Sequence, residues 1–402
     1  MNRLFLILLT LVMPVTGMMA DTASDEASKA LVALGMENVR VFENGRGTVY
    51  ASFETTGYRG TYHGAAAGLK ELARIYPQAE TFRVMILEDQ MERVSLTASV
   101  ADGQWHVSGS YDNQDVKTAL KVKKMENRSV GKIDLTVCPM FYWINHRFTQ
   151  PFEYAIAIAP ALTTSLWEGN RITLQPIFPV SYDLLTLTTE KYIRPGATNI
   201  AQDFVTKDGR LTATLTAGFF LYDRMGADLR VGYHVTPNLT IGAEASVTGD
   251  IWVALKKYHF EKIKDVSFLG KVDYYEPLTR LQGQVTGGRF VKGDYGARVD
   301  ISRHFADYTV GLYGILTGGE HNAGFHFAIP FGPKHYKRNG AFRLKMPDYF
   351  GLEYSMVSYF EYYDEQMGQT VKMRPDENRS AHYWQPVHVA QYTEKILNGG
   401  LK

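Results

Sequence analysis

The stretch LTATLTAGFFLY, residues 211–222, alternates without a break: Leu211, Ala213, Leu215, Ala217, Phe219 and Leu221 on one side, Thr212, Thr214, Thr216 and Gly218 on the other. A period of two puts alternate residues on opposite faces of a β-strand, so one face of this strand is wholly apolar. The pattern recurs. In ADLRVGYHV, residues 227–235, Leu229, Val231 and Tyr233 oppose Asp228, Arg230, Gly232 and His234. In LTIGAEASVT, residues 239–248, Ile241, Ala243 and Val247 oppose Gly242, Glu244 and Ser246. Further on, Val299 and Ile301 oppose Arg298 and Asp300, and Phe325, Phe327 and Ile329 oppose His326 and Ala328. The runs are about 9 to 12 residues long, more than soluble sheets usually need and about what a tilted strand needs to cross a bilayer.

Two architectures share this alternation. In a soluble sandwich the apolar face meets a second sheet, whereas in a membrane barrel it meets lipid. The barrel is favoured by the glycine-rich polar faces and by aromatic residues near strand ends, namely Phe219, Tyr222, Tyr274, Phe290, Phe305, Tyr308 and Phe331. Short turns at 223–226, 236–238 and 291–293 beside long polar connections at 249–265 and 332–348 suggest one short-turned and one long-looped end. About a dozen strands fit between Lys132 and Tyr363, with a polar tail after them at 364–402. In that tail AQYTEKIL, residues 390–397, reads as a short helix folding back under the barrel.

The first segment agrees with export. Arg3 precedes the apolar run Leu4–Val12, then Pro14, then a neutral stretch up to Ala20, so residues 1–20 read as a cleavable signal peptide. The single cysteine, Cys138, excludes an intrachain disulfide. With 43 Lys+Arg against 42 Asp+Glu the chain has a formal charge of +1, which argues against a nucleic-acid partner.

Residues 21–111 read as a small α/β unit. A helix with Ala27, Leu31 and Leu34 on one face, capped by Ser24 or Asp25, is followed by strands 39–43 and 48–54 joined at Asn44-Gly45. Then come a helix at 63–76, a strand at 81–89 and a hairpin around Asp102-Gly103. The polar, lysine-rich segment 112–131 reads as a linker. The fold class expected is therefore an all-β transmembrane antiparallel β-barrel of about 12 strands at 132–363, preceded by an α-β-β-α-β periplasmic domain.

The run from Gly287 to Gly332 resembles the YjbH/GfcD-like family of bacterial exopolysaccharide and capsule proteins. The resemblance is carried by Gly288-Arg289-Phe290, Gly293-Asp294 and Gly296, then Arg303 and Phe305, then Gly324 and Ile329-Pro330-Phe331, with Gly319-Glu320 before that strand. It implies an outer-membrane protein of a Gram-negative bacterium that assists biosynthesis or export of exopolysaccharide or capsule. Its implied partners are outer-membrane lipid, the glycan and the polysaccharide export machinery, and it implies no enzyme and no cofactor.

Facing inward, Asp228, Arg230, Glu244, Arg280, Arg298 and Asp300 are expected to pair with one another or to line a path for a sugar polymer, with Tyr222, Tyr274 and Tyr313 as stacking faces. His304, His321 and His326 lie near Ser302, Asp307 and Glu320, but no zinc or hydrolase motif contains them, and no catalytic or metal site is assigned. The basic loop residues Lys334, Lys337 and Arg338 read as a solvated loop. Two alternatives stay open: a secreted β-sandwich that binds glycans, and an outer-membrane lipid or glycan hydrolase.

Overall fold

The structure, a computed structural model, describes residues 22–144, 153–183, 191–254, 257–356, 366–375 and 384–400. The segment read as a signal peptide lies outside the described residues. So do the last residues of the barrel segment expected at 132–363 and parts of the tail at 364–365 and 376–383.

The α/β part begins with helix α1, residues 22–33, so Ser24 and Asp25 fall in its first turn and do not cap it. Then follow β1 (Glu37–Glu43), β2 (Thr48–Glu54), α2 (Thr61–Ile75), β3 (Thr81–Glu88), β4 (Met91–Ala101), β5 (Gln104–Ser110) and α3 (Gln114–Ala119). The strands form one five-stranded sheet in sequence order. Only β2 and β3, joined through α2, are parallel. Val49, Ala51 and Phe53 of β2 and Val84 and Ile86 of β3 point to one face, where Leu31 of α1 and Leu69 and Leu72 of α2 cover them. The helix sits close because Gly68 has no side chain: a Cβ there would lie 2.6 Å from the Phe53 ring. Residues 112–131 are not a free linker. Val116 and Leu120 are buried against Met85 and Leu87 on the opposite face of the sheet, and Glu126 pairs with Val39.

Among the described residues, seventeen strands make up a second, much larger sheet. They are β6 (Ile133–Ile144), β7 (Glu153–Thr164), β8 (Asn170–Leu174), β9 (Pro176–Asp183), β10 (Arg194–Pro195), β11 (Thr198–Val205), β12 (Leu211–Phe220), β13 (Arg224–Thr236), β14 (Leu239–Ala254) and β15 (Lys257–Phe260). The remainder are β16 (Asp265–Glu276), β17 (Leu281–Arg289), β18 (Tyr295–His304), β19 (Thr309–Thr317), β20 (Glu320–Pro330), β21 (Phe342–Lys345) and β22 (Tyr349–Ser355). About a dozen were expected. The surplus is short pieces that carry no readable alternation: β8 and β9 are split at Gln175, β10 has 2 residues, β15 and β21 have 4 each. Neighbours in sequence pair antiparallel through most of the sheet, and β21 joins the start of β6 in parallel. No helix among the described residues is long and apolar enough to cross a membrane.

The alternation reads as expected, and its apolar side is outermost. Ile301 is 54% exposed and Leu312 66%, while Asp300 and Ser302 beside Ile301 are 2% and 3%. Gly218 lets the wall bend: its φ is +136° and a Cβ there would lie 2.6 Å from the Thr198 carbonyl oxygen of β11.

The α/β part sits against the end of the large sheet that carries the turns at 206–210, 237–238, 277–280 and 305–308. Tyr111 stacks on His234 with centroids 3.6 Å apart, His63 Nε2 lies 3.0 Å from Asp307, and the Tyr62 and Tyr349 hydroxyls are 2.8 Å apart. The long connection 331–348 lies at this end and is solvated only in part: Lys334 and Lys337 are exposed, whereas Arg338 reaches both Glu37 and Asp134, His335 stacks on Tyr58, and the Lys334 carbonyl accepts from the Arg59 N–H. Among the described residues, short turns and long connections occur at both ends, unlike the one-sided arrangement expected.

The tail helix is longer than the pattern suggested. α4 (Pro386–Leu397) is capped by the Gln385 side chain, which accepts from the His388 N–H, and Pro386 stands at its start. Val389, Ala390 and Leu397 belong to the same core as Leu31 and Phe53. Its Glu394 and Asn398 side chains accept from the Val107 and Trp105 N–H groups of edge strand β5. The opposite flank faces the large sheet, where the Tyr392 hydroxyl donates to the His304 carbonyl and Gln391 Nε2 donates to that of Pro277. The C-terminal helix therefore wedges the two parts together.

Glu54, at the end of β2, is fully enclosed, and its carboxyl accepts from the Gln90 N–H. Burial, reinforced by the Asp89 carboxylate, pushes this carboxyl up to about 8. A raised carboxyl contributes stability that is complete below its ordinary value of 4.5 and is lost as pH rises through 8. Glu54→Gln is expected to remove a loss of about 2 kcal/mol between pH 6 and pH 8. Urea unfolding followed by tryptophan fluorescence at the two pH values checks this; equal pH dependence in both proteins would refute it.

Candidate functional site

The inward face of the large sheet encloses a cavity of about 1540 Å³, bounded at one end by Glu92, Arg93, Tyr111 and Asn113 of the α/β part. Strand periodicity places its polar groups: in β13, β14, β16 and β18 every second residue points inward, which brings the charges of adjacent strands into register.

Three clusters result. In the first, Arg230 donates from Nε to Asp228 (3.1 Å) and from Nη2 to Glu244 (3.3 Å). In the second, Arg298 binds Asp300 through Nε and Nη2, both at 2.9 Å, and Glu353 of β22 through Nη1 and Nη2, again both at 2.9 Å. The Tyr313 ring lies under this guanidinium, 3.7 Å from its carbon. In the third, Gln282 and Gln284 donate to Asp273, and His304 Nε2 meets Gln282 Oε1 at 2.7 Å. One cation held by two carboxylates in fork geometry leaves little field for a ligand, so the network's first effect is to let a charged wall exist away from bulk water.

Five of the expected inward groups, Asp228, Arg230, Glu244, Arg298 and Asp300, are thus brought together in two clusters, and Tyr313 joins the second. Arg280 is not among them. It lies in the turn after β16 with its guanidinium 5.5 Å from the Tyr392 ring of α4, because that turn, and not the strand, carries it. Tyr274 points outward, hydrogen-bonded to Glu276, since it shares parity with the apolar set. Tyr222 stands in the turn before β13, at the end away from the α/β part, edge-on to Tyr142. Phe290 is not a surface aromatic: it is fully buried with Leu269, Tyr313 and Ile315.

The three histidines do not converge. His321 is exposed and His304 is tied to Gln282 and Thr309. His326 has Ser302 Oγ at 3.3 Å and Asp300 Oδ1 at 3.9 Å, but both approach the same nitrogen, Nε2. Serine hydrolysis of the familiar kind needs the acid on one ring nitrogen and the nucleophile on the other. No group of His, Cys, Asp and Glu suited to a metal ion occurs among the described residues.

What the pattern did not announce is an extended internal segment. Residues 366–375, QMGQTVKMRP, run inside the sheet from the turn between β17 and β18 to Gln175, between β8 and β9. Gly368 N–H donates to Asp294 (2.8 Å) and Val291 N–H to the Gln369 carbonyl (3.1 Å). Deeper in, Arg230 Nη2 donates to the Val371 carbonyl (2.7 Å) and Asn199 Nδ2 to that of Met373 (2.9 Å). Gln175 Nε2 reaches the Pro375 carbonyl at 3.3 Å, and Arg374 Nη1 meets Glu88 of β3 at 3.3 Å. Val371 is buried with Phe220 and Val291. Nothing in this segment alternates over enough residues to read as a strand, and its partners are scattered over six elements.

Arg298→Leu would leave Asp300 and Glu353 facing each other without their cation. It is expected to cost about 3 kcal/mol or more, seen as a lower midpoint of thermal unfolding followed by circular dichroism, with Arg298→Lys falling between. An unchanged temperature would show that the pair contributes nothing net.

Comparison with the models of known protein families finds none that matches this chain, and comparison with curated proteins finds no match either.

Proposed function

We propose that the chain is an outer-membrane β-barrel protein that assists exopolysaccharide or capsule biosynthesis or export, with its α/β domain in the periplasm. The observation that carries the membrane reading is the outermost apolar face: Leu229, Ile241, Val285, Val299, Ile301 and Leu312 are all exposed while the charges are inside. A secreted sandwich would hide these side chains under a second layer. Aromatic residues mark both edges of the apolar band, with Trp143, Phe268 and Tyr295 toward one end and Tyr233, Tyr274 and Tyr308 toward the other. The order of neighbouring strands, which returns from β22 to β6, supports closure of the sheet on itself.

The polysaccharide reading rests on the resemblance at 287–332, and the geometry gives those residues work in common. Gly288 holds φ +143° opposite Gly296, Phe290 plugs the wall from inside, and Asp294 receives the internal segment. With the interior occupied by its own chain, the protein acts by interaction. Its export partners are met through the α/β domain, whose edge strands are already covered by α4 and Glu126.

Two experiments test the reading. Mature protein should sediment with outer membranes and migrate faster in mild detergent unboiled than boiled, and Ile301→Lys should cost about 2–4 kcal/mol of membrane-folded stability. Deletion of the gene should reduce surface polysaccharide, restored by the intact chain. Soluble protein without a boiling-dependent shift would overturn the barrel; unaltered polysaccharide in the deletion strain would overturn the pathway.

A further inference from the structure

Round the large sheet, one joint differs from the rest. Successive antiparallel pairings lead from β6 through β7, β8, β11, β12, β13, β14, β16, β17, β18, β19 and β20 to β22, and they bring β22 back beside β6 running in the same direction. Parallel neighbours pair less stably than antiparallel ones. The ladders of β6 are made with β7 and, over Ile133–Thr136, with β21, while that of β22 is made with β20. Across the seam that remains, Trp143 of β6 meets Tyr354 of β22 with ring centroids 5.5 Å apart, and Tyr354 stacks on Phe325 of β20 at 5.2 Å. Midway along this part of β6 stands Pro139, which has no N–H to give to a ladder and belongs to the residues that sheet edges tolerate.

The cavity of about 1540 Å³ reaches this joint. On the other strands it touches at most three successive residues, as at Arg230–Gly232 and Gly242–Glu244, which is what a wall with one inward face allows. On β6 it touches every residue from Cys138 to Trp143, and on β22 every residue from Tyr349 to Ser355. Outward-facing Phe141, Trp143, Leu352 and Tyr354 therefore share the cavity with inward-facing Met140 and Glu353. Phe141 and Trp143 are at the same time 39% and 36% exposed on the apolar side of the wall. A cavity bordered by both faces of two neighbouring strands passes between them.

The two sides of the seam differ in character. Outside, Phe141, Leu352, Tyr354 and Phe325 form an apolar margin that continues into exposed Leu312 of β19, the partner of Phe325. Inside, Glu353 holds Arg298 at 2.9 Å over the Tyr313 ring, and Ser355 Oγ accepts from Asn322 Nδ2 at 2.7 Å. The Glu353 side chain keeps 33% exposure although it faces inward, so the polar lining is within reach at the seam. An apolar margin leading to a hydrogen-bonding interior suits a molecule with the same division. We infer that the seam between β6 and β22 is a lateral entrance for a bilayer glycerophospholipid, whose head group enters the cavity while its acyl chains stay against Phe141, Leu352 and Phe325. The inference rests on the barrel reading above. The contact that must part is the one between Trp143 and Tyr354, rings of the kind that sit at the level of lipid head groups.

The test uses the full chain, with Cys138→Ser as background, in phosphatidylcholine vesicles containing a phosphatidylethanolamine whose head group carries a maleimide. A single cysteine is placed inside the wall, at the seam by Met140→Cys or away from it by Thr286→Cys on β17, and labelling is read as the gain in mass. With each rate divided by that of the same protein with water-soluble N-ethylmaleimide, the lipid reagent should label Met140→Cys about tenfold faster than Thr286→Cys, because a head group at the seam is held at high local concentration. Adding Trp143→Ala to Met140→Cys should speed the lipid reaction further. Each protein is checked first for its boiling-dependent shift, and Tyr142→Cys, the next inward position of β6, replaces Met140→Cys if that variant misfolds. Equal normalised rates at the two positions, or no lipid labelling of either, in proteins that show the shift would overturn the entrance and leave the barrel standing. If the unsubstituted chain shows no shift, the barrel reading fails and the entrance with it.

Discussion

A sheet that presents its apolar side chains to the outside has no place for charge except within, and a charge within must be paired. That constraint organises the molecule. Arg298 stands between Asp300 and Glu353, and Arg230 between Asp228 and Glu244. Each guanidinium spans two strands, or two positions on one strand, so the pairings also fix the register of the wall. A slip of one residue would turn Ile301 inward and Asp300 outward, at the combined cost of an unpaired cation within and a carboxylate on the apolar belt.

Pairing by itself leaves the wall short of volume, because many inward positions are Gly, Ser, Thr or Ala. The chain supplies it from its own C-terminal region. Residues 366–375 bring two cations and a file of backbone carbonyls that accept from Arg230, Asn199 and Gln175. Beyond them α4 completes the core of a domain whose other elements lie near the N-terminus. The α/β domain therefore cannot reach its final packing before the last residues arrive, and the large sheet cannot be filled before the domain has somewhere to anchor Arg374. His388, enclosed by Tyr62, Tyr275, His304 and Tyr392, is held well below its ordinary value by burial and by the neighbouring His304 and Arg280, so α4 docks with a neutral imidazole and its attachment weakens as pH falls below about 6.5.

The two-residue period made the long strands legible, because one number sets both the strand and its faces. Leu229 outward and Arg230 inward follow from parity alone, and parity also explains why Tyr274 lies outside. Arg280 was misplaced because a turn has no parity. The loop 332–348 was misread for a related reason: Arg338 and His335 look like solvent-facing residues until Glu37, Asp134 and Tyr58, hundreds of positions away, are seen beside them. The internal segment 366–375 is the extreme case. QMGQTVKMRP has neither period nor cap, and its stability lies wholly in partners contributed by other elements.

One turn joins these levels. Near the end of β17 Gly288 takes a backbone conformation open to glycine; in the turn that follows, Phe290 folds inward onto Tyr313 and the Asp294 carboxylate accepts from Thr317 and from the Gly368 N–H. Glycine there sets the curvature of the wall; the curvature brings Phe290 under the Arg298 cluster; the aspartate beside it receives the entering end of the internal segment. The spacing Gly-Arg-Phe-x-x-Gly-Asp-x-Gly is therefore the spacing of one device, a bend, an inward anchor and an acceptor. Lengthening it by a single residue would change the tight turn that places Phe290 and carry the Asp294 carboxylate away from the Gly368 N–H.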